Sequence, residues 1–299
     1  DDEAWVWTSQ APSGSMDVIR SVGWEPDGRC LAATSTGLAF WNGTSWQDAR
    51  VDGLPMPTGI RFVSRVEAGR WLVGGDGATL ALYTTGGVTS RWNISDTTLS
   101  FERLAGELAD VAVLVSVAND GQVRLHPLVG RRWLKPYELT DARSLTSIAR
   151  VDDARWLLVG RGADEQAFAA VYAPFDWAVD RVPTPGVRAF VSSAGVHARG
   201  LGLAVGSAGA ALWLEGGAVT HERIDPRIDV SACALDGEGR GWAASAGYIW
   251  RREGRENPRW TALFHDPSAS APIISLFVQP DFVVAVTADG GILEGRKGV

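Results

Sequence analysis

A weak internal repeat constrains this chain more than any other feature of its sequence. A unit of roughly forty residues recurs down the whole chain, and each unit is made of four short apolar runs separated by turns. The four runs of the first unit are residues 17–22, 29–34, 37–41 and 44–47. A turn lies between the first and second runs and another between the third and fourth, and the last run contains a Trp. Runs of this length with turn residues between them are typical of β-strands.

The repeat predicts both the fold class and the way the fold closes. Seven units follow one another, and we place them at about 17–57, 58–98, 99–143, 144–186, 187–227, 228–270 and 271–299. The seventh unit ends one strand short, and residues 3–10 resemble the missing Trp-containing strand. We therefore predict an all-β chain, a single seven-bladed β-propeller domain over residues 1–299 with four-stranded antiparallel blades, closed by the N-terminal strand completing the last blade.

Composition supports sheet and turns rather than helix. The chain has 35 Gly and 14 Trp but only 2 Met, and Gly recurs where the second run of a unit turns into the third. In several units an Asp precedes that Gly, as in Asp76-Gly77 and Asp120-Gly121. Such pairs supply the positive φ that tight hairpins need. We interpret them as turn residues.

Charge limits the classes of partner. The formal net charge is −7 and the sequence pI is about 5.2, so no nucleic-acid partner is expected, because binding to phosphates requires a basic face. No apolar run reaches the ~20 residues of a membrane-spanning helix, so no direct membrane insertion is expected. Partners are expected to be a protein or peptide, or a small anionic ligand.

The units resemble the propeller repeats of bacterial two-component regulator sensor proteins. That pattern is matched by the turn Asp27-Gly28, Thr34, and the pair Gly37-Leu38 before an aromatic strand. The turns at 71–77 and 203–209 are similar to those of photosystem II assembly factors and related repeat proteins. Both resemblances imply a propeller fold and a binding role, and neither implies a reaction.

Residues for catalysis or metal binding are sparse. The four His residues lie in different units without ligand spacing, so no metal site and no cofactor are expected. Cys30 and Cys233 lie in apolar runs and are interpreted as small buried hydrophobes. No catalytic residues are assigned. A propeller enzyme can gather its groups from several blades, so the absence of a linear motif lowers the prior for an enzyme without excluding one.

Four arginines form the candidate binding site. We predict that Arg20, Arg61, Arg103 and Arg188 each lie in the first, innermost strand of a unit and reach the mouth of the central channel. Converging guanidinium groups would favour a carboxylate, sulfate or phosphate ligand. The alternative is that they pair with acidic residues of neighbouring units, such as Glu102.

Tryptophan in the fourth run of several units allows two interpretations. Flat indole rings are suitable platforms for sugars, but recurrence at one place in the unit favours packing between the outer parts of adjacent blades. The residues concerned are Trp46, Trp92, Trp133, Trp177 and Trp260.

We therefore expect a non-catalytic module that binds a ligand or protein, such as a sensor or scaffold domain of a bacterial signalling or cell-surface protein. The alternatives are a carbohydrate-active hydrolase or lyase with its active site at the channel mouth and, second, a lectin. The expected location is extracytoplasmic, as a periplasmic or secreted domain, with a cytoplasmic location left open.

Overall fold

The structure is a computed structural model that describes residues 4–12, 17–49, 59–92, 94–254 and 258–298. Its strands form seven separate sheets. The chain divides into two compact units, residues 13–145 and residues 146–299 together with 1–12, which are described in turn below. The sheets are the antiparallel blades of a seven-bladed β-propeller, as the sequence predicts.

The unit of residues 13–145 contains the first three blades. The first strand of the chain, β1 (Trp5–Gln10), precedes it and belongs to the other unit. The strands of the three blades are β2 (Ile19–Trp24), β3 (Cys30–Thr34), β4 (Leu38–Trp41) and β5 (Trp46–Asp48); β6 (Ile60–Glu67), β7 (Arg70–Gly75), β8 (Thr79–Thr84) and β9 (Gly87–Arg91); and β10 (Ser100–Gly106), β11 (Val111–Val117), β12 (Val123–Val129), β13 (Arg132–Trp133) and β14 (Tyr137–Leu139).

The other unit contains the remaining four blades. The fourth blade begins with β15 (Ala142–Arg150), whose first residues precede the boundary between the units. The strands that follow are β16 (Trp156–Gly162), β17 (Ala167–Ala173) and β18 (Ala178–Arg181); β19 (Phe190–Val196), β20 (Leu201–Gly206), β21 (Ala210–Glu215) and β22 (Ala218–Arg223); β23 (Ala232–Leu235), β24 (Gly241–Ser245), β25 (Tyr248–Glu253) and β26 (Arg259–His265); and β27 (Ile273–Gln279), β28 (Phe282–Thr287) and β29 (Ile292–Lys297).

The N-terminal strand completes the seventh blade. Strand β1 pairs antiparallel with β29, from Trp5 opposite Lys297 to Gln10 opposite Ile292, and gives the strand order β1-β29-β28-β27. The Trp7 indole Nε1 donates to the Leu263 carbonyl oxygen at 3.0 Å, and the Trp5 and Trp7 rings pack against the buried cluster of this unit. The predicted closure is confirmed, and it pairs the edge of β29 that would otherwise be open.

The core lies between successive blades rather than within one sheet. Strands β11 and β16 are buried along almost their whole length. One apolar cluster joins the second and third blades, with Phe62, Leu80 and Leu114 among its members, and another joins the fifth and sixth through Trp213 and Trp250. A strand covered on both faces carries a continuous apolar run instead of alternation, and this explains the pattern in the sequence.

The third blade differs from the others at its outer strand. Both β13 and β14 pair with β12, so two short pieces replace one fourth strand. Pro136 lies between the pieces and has no N–H with which to continue the ladder. The third blade therefore departs from the four-stranded pattern that the repeat predicts.

A buried carboxylate holds the hairpin between β23 and β24. Asp236 is 1% exposed, and its Oδ1 accepts backbone N–H groups of Glu238 and Arg240 at 3.0 and 2.9 Å. Its Oδ2 accepts from Arg240 Nε at 2.8 Å and from Trp242 Nε1 at 3.2 Å. Asp236 therefore holds Arg240 and Trp242 by hydrogen bonds within one hairpin, and its role is structural.

Candidate functional site

Bulges at the start of the first strands place charged side chains in the unit of residues 13–145. The register with the second strand shifts between Ile19 and Ser21 and between Ile60 and Phe62, and again between Phe101 and Arg103. The residues at the three bulges are Arg20, Arg61 and Glu102. A bulge changes the direction of a side chain. In all three blades, therefore, the bulged position carries a charge and follows a buried residue.

Arg61 is held by Asp76, which lies in the turn between β7 and β8. The Arg61 Nε lies 3.0 Å from Asp76 Oδ1, and Nη2 lies 3.4 Å from Oδ2. This hydrogen bonding raises the pKa of Arg61. Both side chains are about half exposed, at 44% and 46%, so the pair adds little to stability and remains accessible to a partner.

The cluster continues through a hydroxyl group to the third blade. The Ser100 hydroxyl donates to Asp76 Oδ1 or to Glu102 Oε1, each at 2.9 Å. Arg103 is partly buried, and its Nη1 donates to the Glu102 carbonyl oxygen at 2.5 Å. Burial lowers the pKa of Arg103, and the positive charge of Arg61 lowers it further while Glu102 opposes the change. The structure thus brings Arg61 and Arg103 into one network with two carboxylates.

Arg20 lies in the neighbouring blade and has no ion-pair partner among the described residues. Its side chain is exposed on β2. The nearby Asp17 carboxylate accepts the Thr36 hydroxyl group. One residue further on, the Ser21 hydroxyl donates to the Val63 carbonyl oxygen at 3.3 Å and accepts the Val63 N–H at 3.1 Å, which ties β2 to β6. Arg20 therefore projects from a strand that is fixed to the strand of Arg61.

The prediction that Arg188 lies in a first strand is wrong. Strand β19 begins at Phe190, and Arg188 lies in the loop before it, where its backbone N–H donates to Ser207 Oγ at 3.1 Å. Arg188 belongs to the other compact unit. Among the described residues of that unit, first-strand bulges lie at Val191 and Ile274, which carry no charge. Its loop position arises because pairing with β20 starts only at Phe190.

Sequence reasoning missed several residues that build the site. The sequence indicates Asp76 only as a turn residue and offers no signal for Ser100, although Asp76 follows Arg61 by 15 positions at the opposite end of one hairpin. Hydroxyl groups that tie successive first strands together were also missed. Besides Ser21, they include Thr146 bonded to the Phe190 carbonyl, Ser192 to the Cys233 N–H and Ser231 to the Ile273 carbonyl. Only the three-dimensional register shows which hydroxyls face a neighbouring strand.

The side chains of His126, Cys30 and Cys233 are partly or fully buried. His126 Nε2 lies 2.7 Å from the Ser116 hydroxyl, and Ser116 is fully buried. Burial, with a smaller effect of Arg124, lowers the pKa of His126 to about 4. Cys30 and Cys233 are free and buried, and burial raises the pKa of Cys233 to about 12, as is typical of unreactive thiols. These groups serve packing.

The recurrent tryptophans behave in two ways. Trp260 donates its indole N–H to Glu222 Oε2 at 2.9 Å, and the ring centroids of Trp46 and Trp41 are 5.6 Å apart. By contrast, Trp133 and Trp177 are 40% and 41% exposed, and Trp177 lies in the turn before β18 with a positive φ of 54°. The tryptophans therefore do not form one repeated surface platform.

The part of the chain that the structure describes contains neither a metal-binding cluster nor a membrane-spanning helix. Within residues 4–12, 17–49, 59–92, 94–254 and 258–298, no group of three or more His, Cys, Asp or Glu side chains is arranged to hold a metal ion. In that same part of the chain, no helix has the length and apolar character needed to cross a membrane.

Comparison with known proteins identifies the fold. No family model matches the sequence, and no curated protein is significantly similar to it. Virginiamycin B lyase from Staphylococcus aureus superposes with a TM-score of 0.75 at 11% identity, covering 98% of this chain and 99% of the lyase. The extracellular domain of the putative one-component system BT4673 from B. thetaiotaomicron gives 0.70 at 16% identity, covering 98% of this chain and 40% of that one.

A third similar structure is YCF48 bound to D1 peptide, with a TM-score of 0.70 at 14% identity, covering 98% of this chain and 95% of YCF48. The structural neighbours thus include an extracellular propeller of a signalling system and YCF48, the two kinds of protein that the sequence resembles. At such low identities the similarity shows the fold alone. The chain is therefore a seven-bladed, WD40-like β-propeller.

Proposed function

We propose that this propeller is a non-catalytic module that binds a protein or peptide segment at the first-strand ends of residues 13–145. Its contact residues are Arg20, Arg61 and Arg103, with Asp76 and Glu102 beside them. The observation that carries the proposal is the set of three bulges that place Arg20, Arg61 and Glu102 at one strand position in successive blades.

The charge pattern favours a polypeptide partner over a free anion. Arg61 is already neutralised by Asp76 through two contacts, and Arg103 lies against Glu102. A small anion would have to compete with those carboxylates. Arg20 has no such competitor among the described side chains, so it offers an open position for one acidic side chain. A surface on which positive and negative side chains alternate favours a peptide segment with the complementary order of charges.

The similar structures support a binding role. YCF48 was solved bound to a peptide, and BT4673 contributes an extracellular domain of a signalling system. By that analogy we propose a sensor or scaffold domain located outside the cytoplasm, in the periplasm or secreted, and cell fractionation of the native host tests the location. Fold similarity alone is an associational argument, so the proposal depends on the charged residues.

The carbohydrate-active alternative has less support from the described residues. One similar structure is a lyase, but its similarity concerns the fold. An enzyme needs accessible acid and base groups close together. The Ser116 hydroxyl beside His126 is fully buried, and the described carboxylates Asp76 and Glu102 are engaged by hydrogen bonds. These contacts are those of a binding surface.

The test is a fluorescence-polarisation screen of labelled twelve-residue peptides of acidic, basic and mixed charge. Wild-type protein is expected to bind peptides with an acidic residue, and the double substitution R20E/R61E is expected to weaken binding by roughly tenfold or more, since charge-assisted contacts are lost. The matched control is R132E, which reverses an exposed arginine on β13 in the same unit. Equal affinity of R20E/R61E and wild type would contradict the proposal.

A further inference from the structure

We propose that a cavity in the second blade binds a small ring-bearing carboxylate. The cavity has a volume of about 400 Å³, and its walls are residues 77–81, Arg91, Trp92, Ile94 and Ser95. This volume lies in the range of small-molecule sites, about 300–1,000 Å³. None of the arginines of the charged cluster lines it, so the inference does not depend on the proposed peptide site.

The cavity exists because β9, the fourth strand of this blade, does not cover the beginning of β8, the third strand. Strand β9 stops at Arg91, opposite Ala81, and one further hydrogen bond joins Trp92 N–H to the Leu80 carbonyl at 3.1 Å. The next backbone hydrogen bond along this edge among the described residues joins the Ala78 N–H to the Leu99 carbonyl at 2.7 Å. The edge of β8 between these two hydrogen bonds forms the floor of the cavity.

The walls are fixed before any ligand arrives. Trp92 and Ile94 are partly buried and pack against the apolar cluster that includes Leu80 and Leu99. The segment leading back to β10 is held by a turn in which Asp96 Oδ1 accepts the Thr98 N–H at 3.1 Å. A preformed wall lowers the ordering cost of binding.

The lining has one aromatic face and one cation. The indole of Trp92 supplies a flat surface for a ring, whether aromatic or the apolar face of a pyranose. Arg91 is exposed beside it, and no carboxylate among the described residues pairs with its guanidinium group. A guanidinium binds a carboxylate through two parallel hydrogen bonds. A ring that carries a carboxylate matches both features at adjacent positions in the chain.

The turn between β7 and β8 supplies another part of the wall. Gly77 and Ala78 have successive positive φ values of 62° and 56°, a conformation that costs alanine energy but not glycine. Ala78 is 5% exposed and belongs to the apolar cluster. Its methyl group therefore contributes apolar surface to the wall where a glycine would leave space. The two positive φ values are those of the two-residue turn between β7 and β8, in which the Thr79 N–H donates to the Asp76 carbonyl oxygen at 3.2 Å.

The test measures thermal stabilisation and then affinity for two charged probes with their neutral analogues. The probes are benzoate and glucuronate, which distinguish an aromatic ring from a sugar ring, and the analogues are benzamide and methyl glucoside. We expect at least one charged probe to raise the Tm in proportion to its concentration while its neutral analogue has little effect. Titration calorimetry then gives the Kd of that probe.

Variants assign the binding to the cavity. Arg91→Gln is expected to weaken Kd by roughly tenfold, and Ser95→Trp, which fills the cavity without removing core atoms, is expected to abolish binding. Arg132→Gln, an exposed fourth-strand arginine of the next blade, is the matched control and should leave Kd unchanged. Ligand-free Tm values of all three variants identify any that fold poorly, and Trp92→Phe then serves as a substitute. No preference for the charged probes, or unchanged affinity in Arg91→Gln, would overturn the proposal.

Discussion

A buried ion pair between the fifth and sixth blades allows a quantitative test of how adjacent blades are held together. Glu222 on β22 accepts from Arg252 Nε at 3.0 Å and from Nη2 at 2.7 Å, and the two side chains are 9% and 11% exposed. Glu222 also accepts the indole N–H of Trp260. On its other side, the guanidinium carbon of Arg252 lies 4.2 Å from the ring centroid of Trp213.

Glu222→Ala should therefore be strongly destabilising. It leaves the Arg252 charge largely buried without its carboxylate and leaves the Trp260 N–H without its acceptor. Breaking a buried pair by removing one partner costs about 3–5 kcal/mol. With a urea m-value of about 3 kcal/mol per M, the midpoint of equilibrium unfolding should fall by about 1–1.7 M.

The control for Glu222→Ala is Glu238→Ala. Glu238 makes a surface pair with Arg240 at 3.2 Å and is 58% exposed, so its loss should cost less than about 1 kcal/mol. The double variant Glu222→Leu/Arg252→Met, which removes both charges, should recover most of the lost stability. If Glu222→Ala and Glu238→Ala have the same midpoint, then the buried network does not hold the blades together and the reasoning is wrong.

Three further predictions follow from other parts of the structure. The pKa of His126 is lowered from 6.5 to about 4, so the unfolded state binds a proton at this residue more readily than the folded state does. The free energy of unfolding of the wild type should therefore fall by on the order of 2–3 kcal/mol as the pH drops from 6.5 to 4. His126→Gln should show a shallower dependence of Tm on pH, and an identical slope would contradict this prediction. Asp236→Ala removes the acceptor for Arg240 and Trp242 and should cost about 3 kcal/mol in urea unfolding. Asp266→Ala, at a turn residue that is only partly buried, should cost less. Removing residues 1–10 leaves β29 paired only with β28 and exposes its other edge, so it should lower Tm and cause aggregation detected by light scattering. A monodisperse, equally stable product would show that β1 is dispensable.

Much of the fold could be predicted because each blade is formed by consecutive residues of one repeat unit. Each blade has its apolar runs, its turn glycines and in most cases its outer tryptophan within about forty consecutive residues, and each run is too short for anything but a strand. The missing run in the seventh unit and the additional run at residues 3–10 predict a strand beside the last one, and the pairing of β1 with β29 is present. No residue outside the unit is needed for these inferences.

The candidate site was predicted less completely. Arg20, Arg61 and Arg103 do lie in first strands. Whether the charged side chains there can contact a partner depends on bulges that shift the register by one residue. A bulge is a property of the pairing of two strands, and the amino-acid pattern of one strand does not show it. Arg188 illustrates the limit, because Val187 looks like the start of a strand but is buried in a loop ahead of β19.

The sequence by itself determined the class of fold, the number of blades, the closing strand and the acidic character of the chain, because these follow from short-range periodicity and composition. The tertiary structure alone decided which charges meet. Asp76 faces Arg61 and Ser100, Glu222 faces Arg252 and Trp260, and Ser21 faces Val63 across separations of 15 to 42 residues. Such contacts depend on the register and spacing of blades that pack against one another, and that packing is set by the whole buried core rather than by any one segment.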